Sequence, residues 1–410
     1  MKKLILAISA LFLLAACGGS DDDMGTTTTD TKTETKDNTK DDSKSETKEE
    51  EKKDTVATDS HETAKVAVAN MKVGWNLGNT LESNSNEVDG WIEKYTSGTP
   101  TDYETAWGQP VATQELIDMF KDAGFNAIRV PVTWWPHLDS SNNIDSEWMA
   151  RVKEVVDYVI NEGMYCILNV HHDTGDASSC WLKATDKNAD FAVMNNRFVK
   201  IWKQIANTFK DYDEHLLFEA YNEMLDTTNS WNFAQYNGAY DAVNQYAQNF
   251  VNTVRATGGN NEYRNLIINT YAASAGAGNW DSRCKLPLSK LTMPEDTHSG
   301  HLAAEVHYYF SSYNTSDFDE LFSRLQTNFL SKDVPVILGE YGYTFNDFNN
   351  RTSAEVEAAA NSAKYIVSKA KSYGIATFYW MLLSDGDDRT VPTWTEPTVK
   401  DAIISGYNGN

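Results

Sequence analysis

The chain has 410 residues, a formal net charge of −24 and 12% aromatic residues. Such a surface repels phosphate backbones, so nucleic acid is excluded as a natural partner, and the aromatic content excludes a wholly disordered chain. Four cysteines rule out a disulfide scaffold.

In chain order, Met1-Lys2-Lys3 is a basic start, followed by an apolar stretch from Leu4 to Leu14 that is too short to span a bilayer. Leu14-Ala15-Ala16-Cys17 resembles a bacterial lipobox, with Cys17 as the lipidated residue. Residues 1–17 are therefore expected to be a lipoprotein signal peptide. Residues 18–63 are Thr, Asp, Lys, Glu and Ser, with acids outnumbering lysines by about two to one. They cannot bury enough apolar surface to offset chain entropy and are expected to be a disordered tether. Ser20-Asp21-Asp22-Asp23 resembles the acidic export signal of Bacteroidetes surface lipoproteins. The expected location is the outer membrane, lipid-anchored and facing outward, with the anchor as the only membrane contact.

Residues 64–410 repeat a strand-then-helix unit. Eight short runs rich in Val, Ile, Leu, Phe or Tyr read as strands: Lys72–Asn76, Asn126–Pro131, Met164–Val170, His215–Tyr221, Asn265–Thr270, His301–Tyr309, Val334–Glu340 and Ile375–Trp380. Helical periodicity fills Val111–Ala123, Ser146–Asn161, Asn188–Phe209, Phe233–Ala256, Phe318–Leu330 and Ser353–Tyr373, with a last turn at Val399–Ile404. The fifth crossover, Ala272–Gly300, reads as a long loop. Eight such units predict an α/β fold, a closed (β/α)8 TIM barrel with its site at the carboxyl ends of the strands. Gly74-Trp75-Asn76-Leu77-Gly78-Asn79 lacks the third glycine of a dinucleotide loop, which discounts an open doubly wound sheet.

Polar groups end six of the strands: Arg129, His171-His172-Asp173, Asn222-Glu223, His307 to Tyr309, Glu340 and Trp380. Alternation predicts that Glu219, Tyr221 and Glu223 share a face, as do Val336, Leu338 and Glu340, and Glu305, His307 and Tyr309. Glu223 and Glu340 then face each other across the barrel mouth, as acid/base and nucleophile on an acetal must. Arg129 and Tyr309 are the expected partners of Glu340, and Glu219 and Glu305 are expected as buried framework. Adjacent histidines on a strand point apart, so no metal site is expected. Cys166 reads as buried. Cys180 and Cys284 are candidates for one disulfide.

These residues resemble glycoside hydrolase family 5, a clan-A (β/α)8 family, from about Val73 onward. The likeness rests on Gly74 to Leu81, Ala106-Trp107-Gly108-Gln109-Pro110, Gly124 to Trp134, Asn169-Val170-His171-His172, and Asn222-Glu223 with Glu340 117 residues later. The resemblance implies a retaining endo-β-1,4-glucanase that needs no cofactor. Glu223 would be the acid/base and Glu340 the nucleophile, with Arg129, His171, Asn222, His307 and Tyr309 in support. Trp380, Asn79, Glu82 and His172 would contact sugar. Met224 stands where the family commonly has proline. Cellulose, xyloglucan, mixed-linkage glucan and mannan all stay open as substrates, and Asp385 and the loop Leu382 to Asp387 bear on that choice. Trp134, Trp135, Trp181, Trp231 and Trp394 are each as suited to stacking on sugar as to the core. A transglycosylase and a non-catalytic glycan-binding lipoprotein are the competing readings. Survival of both carboxylates weighs against the second. No carbohydrate-binding module is visible, so soluble or amorphous polymers are expected, acted on by a monomer.

Overall fold

The computed structural model describes residues 61–85, 90–185, 188–347, 350–381, 383–384 and 392–409. The lipidation candidate Cys17, residues 18–60 of the tether and Asp385 lie outside them. The chain divides into Met1–Ser60 and His61–Asn410, and only the second unit is described.

Eight parallel strands close into a barrel in sequence order: β1 Val73–Asn76, β2 Ala127–Val130, β3 Tyr165–Asn169, β4 Leu216–Glu219, β5 Leu266–Ser274, β6 Leu302–Phe310, β7 Val336–Tyr343 and β8 Ala376–Tyr379. Every expected strand forms. The crossover helices bury one apolar stripe each. In Ser146–Asn161 that stripe is Trp148, Val152, Val155, Val156 and Val159, and Asp145 starts the helix by accepting from the Glu147 and Trp148 amides. Each such side chain contributes about 1.5–3 kcal/mol on burial. The fifth crossover is less irregular than expected. It holds a 3₁₀ turn, Ser282–Lys285, and a short helix, Leu286–Lys290, that packs Pro287 and Leu288 inward. With only five residues, it has too few periodic positions to read from sequence.

A helix absent from the sequence reading, Ala64–Met71, lies under the amino ends of the strands. Thr63 caps it, Ala64 N–H bonds Gly300 O just before β6, and Asn126 Nδ2 before β2 bonds Asn70 O. Its Ala64, Ala67, Val68 and Met71 pack on the lower interior residues Ala127, Ile167, Leu217, Ile267, Ala303, Ile337, Ala376 and Phe378. One end of the barrel is thereby sealed with hydrocarbon.

Above that layer the interior turns polar: Asn76, Arg129, Asn169, Glu219, Asn269 and Glu305 are all fully buried. Each lies two residues beyond an apolar lower-layer residue or glycine of its own strand, so alternation sends all six inward.

The candidate disulfide between Cys180 and Cys284 does not form. Cys166, Cys180 and Cys284 are buried free thiols. Cys180 Sγ lies against Gly175 and Cys284 Sγ against Gly278, on different crossovers.

Candidate active site

Arg129 organises the polar layer. Its Nε–H donates to Glu219 Oε2 (2.6 Å), Nη1 to Asn76 Oδ1 (3.0 Å) and Glu340 Oε1 (2.8 Å), and Nη2 to Glu219 Oε1 and Asn222 Oδ1 (both 2.8 Å). All five N–H donors of the guanidinium are used, which a lysine could not reproduce. Asn76 in turn donates to the carbonyls of Gly339, Phe378 and Tyr379, tying β1 to β7 and β8 beside Glu340.

Two of the expected shared faces are corrected. Glu219 and Glu223 turn inward, but Tyr221 points out toward the helices, its ring against Phe198 and its hydroxyl on Val243 O and Asn269 O. β4 ends at Glu219, so strict alternation stops there. Likewise Val336 and Leu338 join the outer core while Glu340 turns in. The register of β7 against β6 shifts between Val306 and His307, and against β8 between Leu338 and Tyr341. That irregularity re-aims Glu340. Glu305, His307 and Tyr309 do share the interior face.

Glu340 accepts from Tyr309 Oη at 2.5 Å as well as from Arg129. Glu223 Oε1 meets His307 Nδ1 at 2.9 Å. Oxygens of the two carboxyls and a His307 nitrogen all lie within 4.8 Å of one another. Such a trio has metal-binding chemistry, but both Glu340 oxygens and both His307 nitrogens already face protein partners. Oxygens this close fall nearer the spacing of about 5–5.5 Å that suits direct attack on an anomeric carbon than the one of about 6.5–9.5 Å that seats a water between the carboxyls.

The two acids are driven apart electrostatically. Burial raises Glu223 above the ordinary carboxyl range and the Glu340 charge adds to this, against the His307 hydrogen bond. Burial alone would raise Glu340 too, but the His307 and Arg129 charges and the Tyr309 and Arg129 hydrogen bonds outweigh it and hold it low. The two directions favour the proton on Glu223 and the charge on Glu340.

His171 is buried, and its Nδ1 takes the Asn169 amide at 3.0 Å, which leaves Nε2–H toward Glu340 Oε1 at 3.9 Å. Its ring lies parallel to Trp380, with centroids 5.7 Å apart. Trp380 is partly exposed, with Gly78 packed against it. The adjacent histidines do not point apart as expected. β3 has ended at Asn169, and the His171 and His172 rings meet edge to face at 4.5 Å. His172 also approaches Trp107 at 5.4 Å. That rim aromatic was not singled out in sequence, where only its motif was visible.

The loop pair Asn79 and Glu82 is held by its own backbone. Asn79 is partly buried in left-handed backbone, while Glu82 is fully buried and its carboxylate accepts the Asn79 and Thr80 amides of its own loop. Burial pushes Glu82 up to about 8 despite those bonds. Among the tryptophans, Trp134 is core, its Nε1 on Asn169 O. Trp394 packs among Trp75, Phe120 and Phe125. Trp181 is held by Asp173 and lies under Arg197. Trp134, fully buried, is not placed to stack on sugar. The peptide after Glu223 is pinned by Ala272 N–H on Met224 O (3.0 Å), from two consecutive left-handed alanines, Ala272 and Ala273. Left-handed alanine costs energy, and here the cost is spent beside the acid.

Residues 82–386 match the family model described as cellulase, glycosyl hydrolase family 5. Endoglucanase A of Ruminococcus albus is 34% identical over 369 residues, covering 83% of this chain and 92% of that protein. A GH5-4 broad specificity endoglucanase from an uncultured bacterium superposes with a TM-score of 0.79 at 45% identity, covering 87% of this chain and 99% of the other. A mutant of a glycoside hydrolase family 5 enzyme from Prevotella bryantii B14, solved in complex with the xyloglucan tetradecasaccharide XXXGXXXG, gives 0.74 at 41% identity, covering 85% and 99%.

Proposed function

The chain belongs to glycosyl hydrolase family 5, and on that premise we propose that it is a retaining endo-β-1,4-glucanase whose reaction is carried by Glu340 and Glu223. The observation that carries this is the pair of facing carboxyls, Glu340 pushed toward the ionised form and Glu223 toward the protonated one. Glu340 Oε attacks the anomeric carbon while Glu223 protonates the departing glycosidic oxygen. Arg129 and Tyr309 hold Glu340 in place until its charge is spent in the glycosyl ester. With that charge gone, Glu223 loses the repulsion that helped keep it protonated. It then takes a proton from water, which attacks the ester and releases the sugar with configuration retained. Asn222, His171 and Trp380 are the proposed sugar contacts nearest the reacting carbon.

One relative is described as a broad specificity endoglucanase and another was solved with a xyloglucan oligosaccharide bound, so cellulose-type backbones are the primary proposed substrate, with xyloglucan and mixed-linkage glucan as further ones. The test uses the purified full-length chain on carboxymethyl cellulose, barley β-glucan, xyloglucan and glucomannan. A rapid fall in viscosity with few reducing ends is expected. Binding without release of any product would instead identify a glycan-binding protein. The rate should follow a bell in pH, its acid limb set by protonation of Glu340 and its alkaline limb by ionisation of Glu223.

The location proposed is the outer face of a bacterial outer membrane, supported by the lipobox at Cys17 and the polar tether after it. Labelled palmitate should enter the wild-type chain in cells and be absent from Cys17→Ala. Protease added to intact cells should remove the activity. Protection from protease would place the domain inside the envelope.

A further inference from the structure

Glu305 has no place in the chemistry above, yet it stands directly behind it. It is fully buried on β6. Its Oε1 lies 3.3 Å from His307 Nε2, 3.4 Å from Asn269 Nδ2 and 3.5 Å from Arg129 Nε. Its Oε2 has no hydrogen-bond partner among the described residues. The carboxyl occupies room that β7 leaves by carrying glycine at 339, where a Cβ would stand 1.9 Å from Oε1. The opposite ring nitrogen, His307 Nδ1, meets Glu223 Oε1 at 2.9 Å and Glu340 Oε2 at 3.5 Å. A ring with an accepting carboxyl oxygen at each nitrogen meets both by donating from both, and an imidazole that donates twice is the cation.

We propose that Glu305 is a positioning residue that holds His307 as a doubly donating imidazolium, and through that cation sets how readily Glu223 gives up and takes back its proton. The proposal rests on Glu223 being the acid/base. The groups facing this pair come from every neighbouring strand: Arg129 on β2, His171 after β3, Glu219 on β4 and Glu223 beyond it, Glu340 on β7, and Tyr309 on β6 itself. β5 contributes the uncharged Asn269. Burial opposes the His307 charge, but Glu340, Glu223 and Glu305 outweigh it and push the ring up to about 10. Burial and the Glu219 charge push Glu305 up to about 7, with Arg129 and His307 opposing.

Nitrogen-15 NMR of the histidine rings in the full-length chain tests this, with the His307 signals assigned by their loss in His307→Gln. Both ring nitrogens of His307 should stay protonated to at least about pH 8. In Glu305→Gln the ring should lose its proton at a pH lower by about two units. With a neutral ring, Glu223 keeps its proton longer, so the alkaline limb of kcat/KM on β-glucan should rise by about one pH unit. On dinitrophenyl β-cellobioside, whose leaving group needs no acid, kcat and KM should fall together by about tenfold. The step that needs ionised Glu223 then becomes limiting and glycosyl-enzyme accumulates. Gly339→Ala, which drives the carboxyl from its seat without removing its charge, should move the ring the same way. A purely structural role would lower rates at all pH values and leave both the ring titration and the limb where they were, which would overturn the proposal. So would a neutral His307 ring in the native chain within its active pH range, a result that depends on no variant. The ring signal is read without turnover, so failure of the hydrolase reading would appear separately, in the polymer panel.

Discussion

Glu340→Gln should lower turnover on β-glucan by on the order of 10⁵-fold, with the fold intact. The amide still accepts from Tyr309 Oη or Arg129 Nη1, which reach opposite oxygens of the carboxyl at 2.5 and 2.8 Å. What is lost is the charge that forms the glycosyl ester, and no other group stands in its place. Glu223→Gln should cost about 10²–10⁴-fold on polymer, the usual range for one general acid. The two variants are separable. On dinitrophenyl β-cellobioside, Glu223→Ala should still form glycosyl-enzyme, because the leaving group departs unaided, and then stall; azide should rescue it and give the β-glycosyl azide. Glu340→Ala with azide should give the α-azide, by single inversion. Proton NMR of the anomeric signal distinguishes the products. Exchanged outcomes would reverse the two roles, and undiminished activity in Glu340→Gln would remove it from the mechanism.

Arg129→Met should be the most damaging change to stability among the site residues, at about 3–5 kcal/mol, because it leaves buried carboxylates without their cation. Glu219 and Glu305 are fully buried and Glu340 nearly so. In the wild type, Glu340 sits below its ordinary range, so its contribution is present above about pH 4.5 and is lost as pH falls through the lower folded value. Without Arg129 the sign inverts for Glu340 and the existing upward push on Glu305 grows, because Arg129 is what opposes it. Each is then easier to protonate folded than unfolded, so the variant should regain stability as pH falls toward about 4.5 and lose it as pH rises. Urea melts of wild type and variant at pH 5 and pH 8 read this directly. A penalty equal at both pH values would mean that packing, rather than charge, is what Arg129 supplies. Arg129→Lys should recover only part of the loss, since three donors replace five.

The barrel was legible because its strands are short apolar runs at regular spacing, each bounded by helical periodicity, and eight such units close in only one common way. The site residues were legible because they end those strands, and Arg129, His171, Asn222, Glu223, His307, Tyr309 and Glu340 do converge. The helix Ala64–Met71 was missed because its buried residues include two alanines, which look alike in a core and on a surface. Tyr221 and Leu338 were misdirected because the reading carried two-residue alternation past the end of β4 and through the register shift of β7. Glu82, Trp134 and Trp394 could not be sorted between sugar contact and core, since a loop tryptophan or glutamate reads the same in either place.

The amino-acid sequence by itself determined the repeating unit, the end of each strand at which chemistry gathers, and which two carboxyls could act on an acetal. Those follow from local periodicity and residue type, which need no distant partner. Only the tertiary structure decided that Arg129 spends five donors on four residues, that Gly339 makes room for Glu305, and that one acid is pushed toward ionisation beside another pushed toward protonation. Acidity in a buried site is the sum of burial and of charges a few ångströms away, and those neighbours lie up to 211 residues apart along the chain.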